Sequence, residues 1–296
     1  VNDGQPGTVG IVGVGNMGLA MALRLLDQRH AVAVCDIDPA RSAAAQAAGA
    51  SVAATPAGLA ACGLVIVAVV DGDQTREVLF GHDGLAYGLV VGLPAGATVM
   101  LCPTIAPADT EACAQGLAAR GLGCIDAPMS GGPARARDGT MSLMVACDEA
   151  LFERWQPLLS TLASRLFRVG ARAGDGARTK LVNNLLAAVN LAGAAEALAL
   201  AARLGLDPAL TLSVIEQSSG QSWIASDRLR RALAGDTAPQ AHMALLAKDS
   251  KLALQAALPT GMALPVGSAA ARHFAQALEA GLTREDDSAL WRWLRG

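Results

Sequence analysis

The sequence has few aromatic side chains: 4 Trp, 1 Tyr and 4 Phe among 296 residues. Its apolar share of 52% leans instead on alanine. That composition favours many closely packed helices over a β-sandwich. No run of Lys or Arg forms a phosphate-tracking stripe and the formal net charge is only −3, so nucleic acid is not expected as a partner. The six cysteines, Cys35, Cys62, Cys102, Cys113, Cys124 and Cys147, include no CxxC pair, and the 4 His are scattered. Neither zinc nor a redox dithiol finds its ligand spacing, and no metal is expected. The thiols read as reduced and mostly buried, as in the cytosol. Long apolar runs are also lacking. The most apolar stretch, Leu59 to Val70, has 12 residues, too few to span a bilayer. Gly84 to Leu101 is longer but is broken by Pro94 and several glycines. Val1 to Gly10 lacks the basic and apolar regions of a secretory leader, and the sequence does not begin with Met, which leaves room for residues upstream. No membrane and a cytoplasmic location are expected.

What is present is a change of pattern along the chain. From Thr8 to about Val169, short β-branched runs alternate with Ala-rich segments of helix length. The runs are Val9–Val12, Ala31–Cys35, Leu64–Val70, Thr98–Leu101, Cys124–Asp126, Leu143–Ala146 and Leu166–Val169. Continuous apolar runs suit strands covered on both faces, and βα alternation predicts a parallel sheet with right-handed crossovers. After Gly170 the strand signals stop. A glycine-rich turn leads into one long helix, about Ala177 to Leu204, and further helix-length segments follow. The expected fold is an α/β Rossmann-like doubly wound domain, residues 1–172, followed by an all-α domain, residues 173–296.

Residues 8–18 read TVGIVGVGNMG. Gly13, Gly15 and Gly18 form G-x-G-x-x-G between a strand and a helix, with Asn16 and Met17 inside the turn. Gly13 permits the tight turn, Gly15 lets backbone approach a pyrophosphate, and Gly18 lets helix pack on strand. The helix N-terminus then offers N–H groups to phosphate. Asp36 lies 18 residues beyond Gly18, where a carboxylate accepts from ribose hydroxyls and repels a 2′-phosphate. The reading is a dinucleotide site for NAD, with NADP kept open by Arg41.

Three further segments carry the chemistry: Asp126-Ala127-Pro128-Met129-Ser130-Gly131-Gly132; Gly174-x-Gly176-x-x-x-Lys180-Leu181-Val182-Asn183-Asn184; and Lys248-Asp249 inside MALLAKDSKLAL. With the glycine fingerprint, in this order and over nearly the whole chain, they resemble the β-hydroxyacid dehydrogenase family. The resemblance implies hydride transfer between a small hydroxyacid and a nicotinamide. It makes Lys180 the acid/base, with its ammonium shifted down beside a cationic nicotinamide, and Asn184, one helical turn on, its partner at the substrate hydroxyl. It assigns Ser130, Gly131 and Gly132 to the substrate carboxylate and Thr104 to the nicotinamide. Val69 and Val70 fall on the adenosine side, Lys248 on the cofactor, and Asp249 on the substrate side.

The resemblance also narrows the substrate. Arg135 stands where many members carry glycine and could contact a polyhydroxy acid. Ser219-Gly220-Gln221-Ser222-Trp223, Gly235-Asp236 and Glu285-Asp286-Asp287-Ser288-Ala289 are similar to the family's L-threonate dehydrogenase branch, which implies oxidation of a four-carbon acid sugar at C2. Trp223 would then wall the substrate or simply pack, and Glu285-Asp286-Asp287 would precede or cap the last helix. The alternatives are 3-hydroxyisobutyrate dehydrogenase, tartronate semialdehyde reductase, or a dinucleotide-binding protein without turnover. The Ala-rich helices suggest a homodimer or homotetramer.

Overall fold

The computed structural model describes residues 7–81 and 92–296. The leader reading at Val1 to Gly10 and the apolar stretch Gly84 to Leu101 thus fall partly outside the described residues. By packing, the chain divides into two compact units, Val1–Lys180 and Leu181–Gly296.

The first unit is built on a nine-stranded sheet. Its strands are β1 (Val9–Val12), β2 (Val32–Cys35), β3 (Ser51–Val52), β4 (Leu64–Val67), β5 (Thr98–Leu101), β6 (Gly123–Asp126), β7 (Met129–Ser130), β8 (Met141–Ala146) and β9 (Ala163–Gly170). The order β3-β2-β1-β4-β5-β6 is parallel throughout and is that of a doubly wound Rossmann sheet. Central β1, β4 and β5 are buried along their whole length, which is why they read as unbroken apolar runs. Alternation then splits each strand between two cores. Val9, Ile11, Leu64 and Ile66 enter one cluster, and Val12, Val65 and Val67 the other. Emptying one position, as in Ile66→Ala, would cost about 2–5 kcal/mol.

Beyond β6 the sheet departs from the all-parallel expectation: β8 runs antiparallel to β6 and β7, and β9 rejoins parallel to β8. The link from β7 to β8 holds a helix of only 7 residues, Gly132–Asp138, too short to return the chain over the sheet for a parallel crossover. Among the described residues the other helices of this unit are α1 (Asn16–Asp27), α2 (Pro39–Ala47), α3 (Gly72–Phe80), α4 (Pro107–Ala118) and α6 (Glu149–Leu162), with Gly132–Asp138 as α5. The run Leu64–Val70 leaves the sheet after Val67, because Asp71 turns the chain by capping α3 through the Gln74 N–H at 2.8 Å.

Helix α7 (Asp175–Arg203) spans 29 residues and crosses the division between the units. By length and composition it is apolar enough to cross a membrane, although Asn183, Asn184, Asn190 and Glu196 break its apolar residues into short runs. In the second unit its residues Ala188, Leu191, Ala195 and Leu198 form the middle of a helical core. Around them stand α8 (Pro208–Glu216), α9 (Trp223–Leu233), α10 (Met243–Ala257), α11 (Pro265–Glu279) and α12 (Ala289–Arg295). A buried charge network closes this unit. Arg228 Nε donates to Asp287 at 2.7 Å, Arg231 pairs with Asp286 at 3.1 Å, and Asp286 accepts the Gln240 N–H at 2.9 Å. Burial pushes the Asp287 carboxyl up to about 6 against the pull of Arg228. Asp286 and Asp287 therefore tie three segments together before α12.

Candidate active site

The glycine turn is built as its spacing requires. Gly13 has φ +89°, and a Cβ there would lie 2.7 Å from the Ala68 carbonyl oxygen. A Cβ on Gly18 would fall 1.8 Å from the Gly13 carbonyl oxygen, so only glycine lets α1 sit this close to β1. A Cβ on Gly15 would meet only the mobile end of Arg41, at 3.1 Å. No side chain caps α1 at Gly15, which leaves the first-turn N–H groups, at Asn16 and Met17 in particular, to an anion. Val69 stands against Gly13, its Cγ1 3.2 Å from the position of that absent Cβ. Val70 is half-exposed and donates its N–H to Gln74.

Asp36 ends β2 and is tied down at both oxygens. Oδ2 accepts the Val14 N–H at 2.6 Å and Oδ1 accepts the Asp38 N–H at 2.8 Å. The carboxylate is thereby held at the glycine turn with lone pairs to spare. Its neighbour Ile37 is fully exposed, and Arg41 is paired with Asp38 at 3.5 Å. A turn that a Cβ would fill, an uncapped helix N-terminus and an oriented carboxylate fit a dinucleotide. These residues would hold its pyrophosphate and ribose.

Lys180 lies in the second turn of α7 and is buried, 8% exposed. The start of its helix is gripped from below. Asp126, at the end of β6 and 2% exposed, accepts the Gly174 N–H at 2.8 Å and the Ala177 N–H at 3.1 Å through Oδ2. A Cβ on Gly176 would lie 2.8 Å from both the Asp126 carboxyl carbon and the Met144 carbonyl oxygen. The glycines before Lys180 thus let backbone close onto a carboxylate. Burial pushes the Asp126 carboxyl up to about 6, opposed by the N–H groups of Ala177, Gly174 and Gly176. In the sequence Asp126 stands only as the end of a strand and the start of the segment that leads to Ser130–Gly132. Its role at the helix start depends on a partner 48 residues away.

Two residues past Ala127-Pro128, Ser130 closes β7 and Gly131 turns the chain at φ +127°. Arg135, on α5, folds back over this turn. Its Cδ is 2.9 Å from where a Gly131 Cβ would be, and its side chain is exposed. Ser130, Gly131 and Gly132 are partly buried. Thr104 lies partly buried in the segment after β5.

Within the second unit, Asn184 Nδ2 donates to Asp249 Oδ2 at 2.6 Å, and Lys248 Nζ pairs with Asp249 Oδ1 at 2.9 Å. Asp249 is 6% exposed, so this is not an ordinary surface pair. It orients the Asn184 amide: one N–H is taken by Asp249, and the second is the one it can offer a substrate oxygen. Lys180 precedes Asn184 by one turn of the same helix. Trp223 begins α9 half-exposed, with the helix capped by Ser222 through the Ala225 N–H at 3.3 Å.

Burial pushes the thiols of Cys35, Cys62, Cys113 and Cys147 up to about 11, well away from nucleophilic range. Among the described residues no group of three or more His, Cys, Asp or Glu could hold a metal ion.

Two known domain families match the chain. Residues 8–170 match the NAD binding domain of 6-phosphogluconate dehydrogenase, and residues 174–294 match the NAD-binding domain of NADP-dependent 3-hydroxyisobutyrate dehydrogenase. The L-threonate dehydrogenase of Cupriavidus necator is 37% identical over 95% of this chain and 94% of its own length. The 3-hydroxyisobutyrate dehydrogenase of Pseudomonas aeruginosa is 34% identical over 97% of this chain and 98% of its own. The crystal structure of a 3-hydroxyisobutyrate dehydrogenase from Salmonella typhimurium superposes with a TM-score of 0.89 at 35% identity, covering 97% of this chain and 99% of that one.

Proposed function

Because the chain belongs to the β-hydroxyacid dehydrogenase family, we propose that this NAD(P)-dependent hydroxyacid dehydrogenase oxidises L-threonate at C2, with NAD preferred over NADP. The observation that carries the chemistry is Lys180. A buried amine anchored at the start of a helix, with an oriented amide one turn further on, suits proton transfer to and from a substrate hydroxyl.

The bound nicotinamide supplies the hydride acceptor. Lys180 takes the hydroxyl proton as the carbinol carbon is oxidised and returns it in the reverse direction. Asn184 holds the hydroxyl oxygen with its free N–H. Asp249 keeps that amide in place, and the family resemblance assigns Lys248 to the cofactor. The N–H groups and hydroxyl of Ser130–Gly132 receive the substrate carboxylate. Arg135 and Trp223 give the acid sugar its further hydroxyl contacts and an apolar wall. Thr104 would stand by the nicotinamide, and Val69 and Val70 would line the adenosine side, as the family resemblance assigns them. Asp36 supports the choice of NAD, because its fixed carboxylate repels a 2′-phosphate.

The identity to proteins named L-threonate dehydrogenase supports this substrate. The Salmonella structure and the Pseudomonas relative support 3-hydroxyisobutyrate as the second reading, with tartronate semialdehyde reduction beside it. Exposed Val182, Leu186, Leu200, Leu204, Leu210 and Val214 in the second unit support a homodimer or homotetramer. Residues 1–172 would then bind the cofactor and residues 173–296 serve substrate and assembly, in a cytoplasmic enzyme.

The test is spectrophotometric NAD reduction with L-threonate, D-threonate, D-erythronate, 3-hydroxyisobutyrate and D-glycerate. L-threonate should give the highest kcat/KM. Preference for 3-hydroxyisobutyrate or D-glycerate would overturn the substrate. NAD binding without turnover on any of the five would favour a non-catalytic protein.

A further inference from the structure

Asp126 is a buried carboxylate that the catalytic reading leaves unused. It belongs to β6, where its backbone pairs with Leu101 on one side and Ala146 on the other. Its side chain is therefore carried by a strand that is paired on both edges. That side chain takes the Gly174 and Ala177 N–H groups, and Ala177 lies three residues before Lys180. Gly176 abuts both Asp126 and the β8 backbone, so the first turn of α7 has no room to slide.

We infer that Asp126 is a positioning residue for Lys180: its carboxylate clamps the first turn of α7 onto the sheet and fixes where the lysine amine stands. The inference rests on Lys180 being the acid/base. An ordinary N-cap could be Ser, Asn or Asp on a loop. Here the cap sits on a strand, is fully buried, and holds the helix that carries the reacting group.

The clamp titrates. Protonation replaces a charged acceptor by a neutral carboxyl, whose hydrogen bonds to the same N–H groups are weaker, so the grip weakens as pH falls through about 6. Several titratable groups surround Asp126. Asp175 faces it from α7, Cys102 from the end of β5, Cys124 from β6, and Cys147 from the end of β8. Arg178 and Glu111 pair with each other next to Gly174. The thiols stay protonated over this range because burial raises all three.

Amide exchange of the intact protein tests the clamp directly. In the wild type, the protection of the Gly174 and Ala177 amides should fall as pH is lowered through about 6. In Asp126→Asn that protection should be about ten- to a hundredfold lower at pH 7 and no longer vary in this way. The same variant should lose about tenfold or more in kcat on the hydroxyacid turned over, with an altered acid limb, while its Kd for NAD stays at the wild-type value. Unchanged protection would overturn the clamp. Lower protection with wild-type kcat and pH profile would reduce Asp126 to a structural cap and overturn the positioning role. Should Asp126→Asn fail to fold, the wild-type pH series and Gly176→Ala, whose Cβ would press on the Asp126 carboxyl at 2.8 Å, decide the matter. Near-normal turnover of Lys180→Ala would remove the acid/base reading by itself, without touching the exchange result.

Discussion

Alanine at Gly18 and alanine at Gly15 should fail in different ways, although both break the same G-x-G-x-x-G. At Gly18 the new Cβ would lie 1.8 Å from the Gly13 carbonyl oxygen. The obstacle is backbone, so α1 must move away from β1 by more than about 1 Å to restore an ordinary contact. Ala20, Met21, Ala22 and Leu25 would leave the core with it. The cost belongs at the upper end of overpacking, about 3 kcal/mol, or a fall in Tm of roughly 6–12 °C. The N–H groups proposed to receive the pyrophosphate move too, which should cost about ten- to a hundredfold in NAD affinity. At Gly15 the backbone is extended, a conformation alanine adopts freely, and the Cβ meets only the Arg41 guanidinium at 3.1 Å. Gly15→Ala should therefore lose no more than about 1 kcal/mol of stability, yet bind NAD at least tenfold more weakly because the Cβ occupies the cofactor's approach. Thermal melting and NADH fluorescence titration separate the two. Equal destabilisation by both variants, or wild-type NAD affinity in Gly18→Ala, would refute the reasoning.

Lys180→Ala should lower kcat by roughly two to four orders of magnitude while the Kd for NAD, measured by the same titration, changes little. Asp126 should leave a signature in stability as well. Its carboxyl is raised from 3.8 to about 6 in the folded chain, so between those values the folded state binds more protons than the unfolded one. Wild-type stability is therefore lost as pH rises through that window, by on the order of 2–3 kcal/mol from this group. Denaturant melts at pH 4.5 and 7.5 should show Asp126→Asn gaining on the wild type by that amount, and a constant gap would contradict the sign. Arg135→Gly should reduce kcat/KM for polyhydroxy acids more than for 3-hydroxyisobutyrate; equal loss on both would mean that Arg135 has no part in selecting the substrate.

The legible parts of this protein are local ones. The glycine turn, the two-sided burial of β1, β4 and β5, and the reach from Gly18 to Asp36 all follow from residues close in sequence. Steric limits on a turn and the alternation of a strand act over a few residues, so they leave a pattern. Other parts depend on distant pairing. The reversal of β8 against β6 was not legible, because the run Met141–Ala146 reads the same in either direction. The apolar character of α7 was divided among short runs by four polar residues, two of which are the Asn183-Asn184 pair beside the site.

Sequence by itself determined that a dinucleotide turn opens the chain, that α/β gives way to helices after Gly170, and that Lys180 and Asn184 share one helix. Each is a statement about spacing. Only the tertiary structure decided what holds those groups still. It set Asp126 beneath the helix that carries Lys180, from 48 residues away, and Asp249 against the Asn184 amide, from 65 residues away. A buried carboxylate finds its donors only when strands and helices from distant parts of the chain have packed, and no spacing rule encodes that meeting.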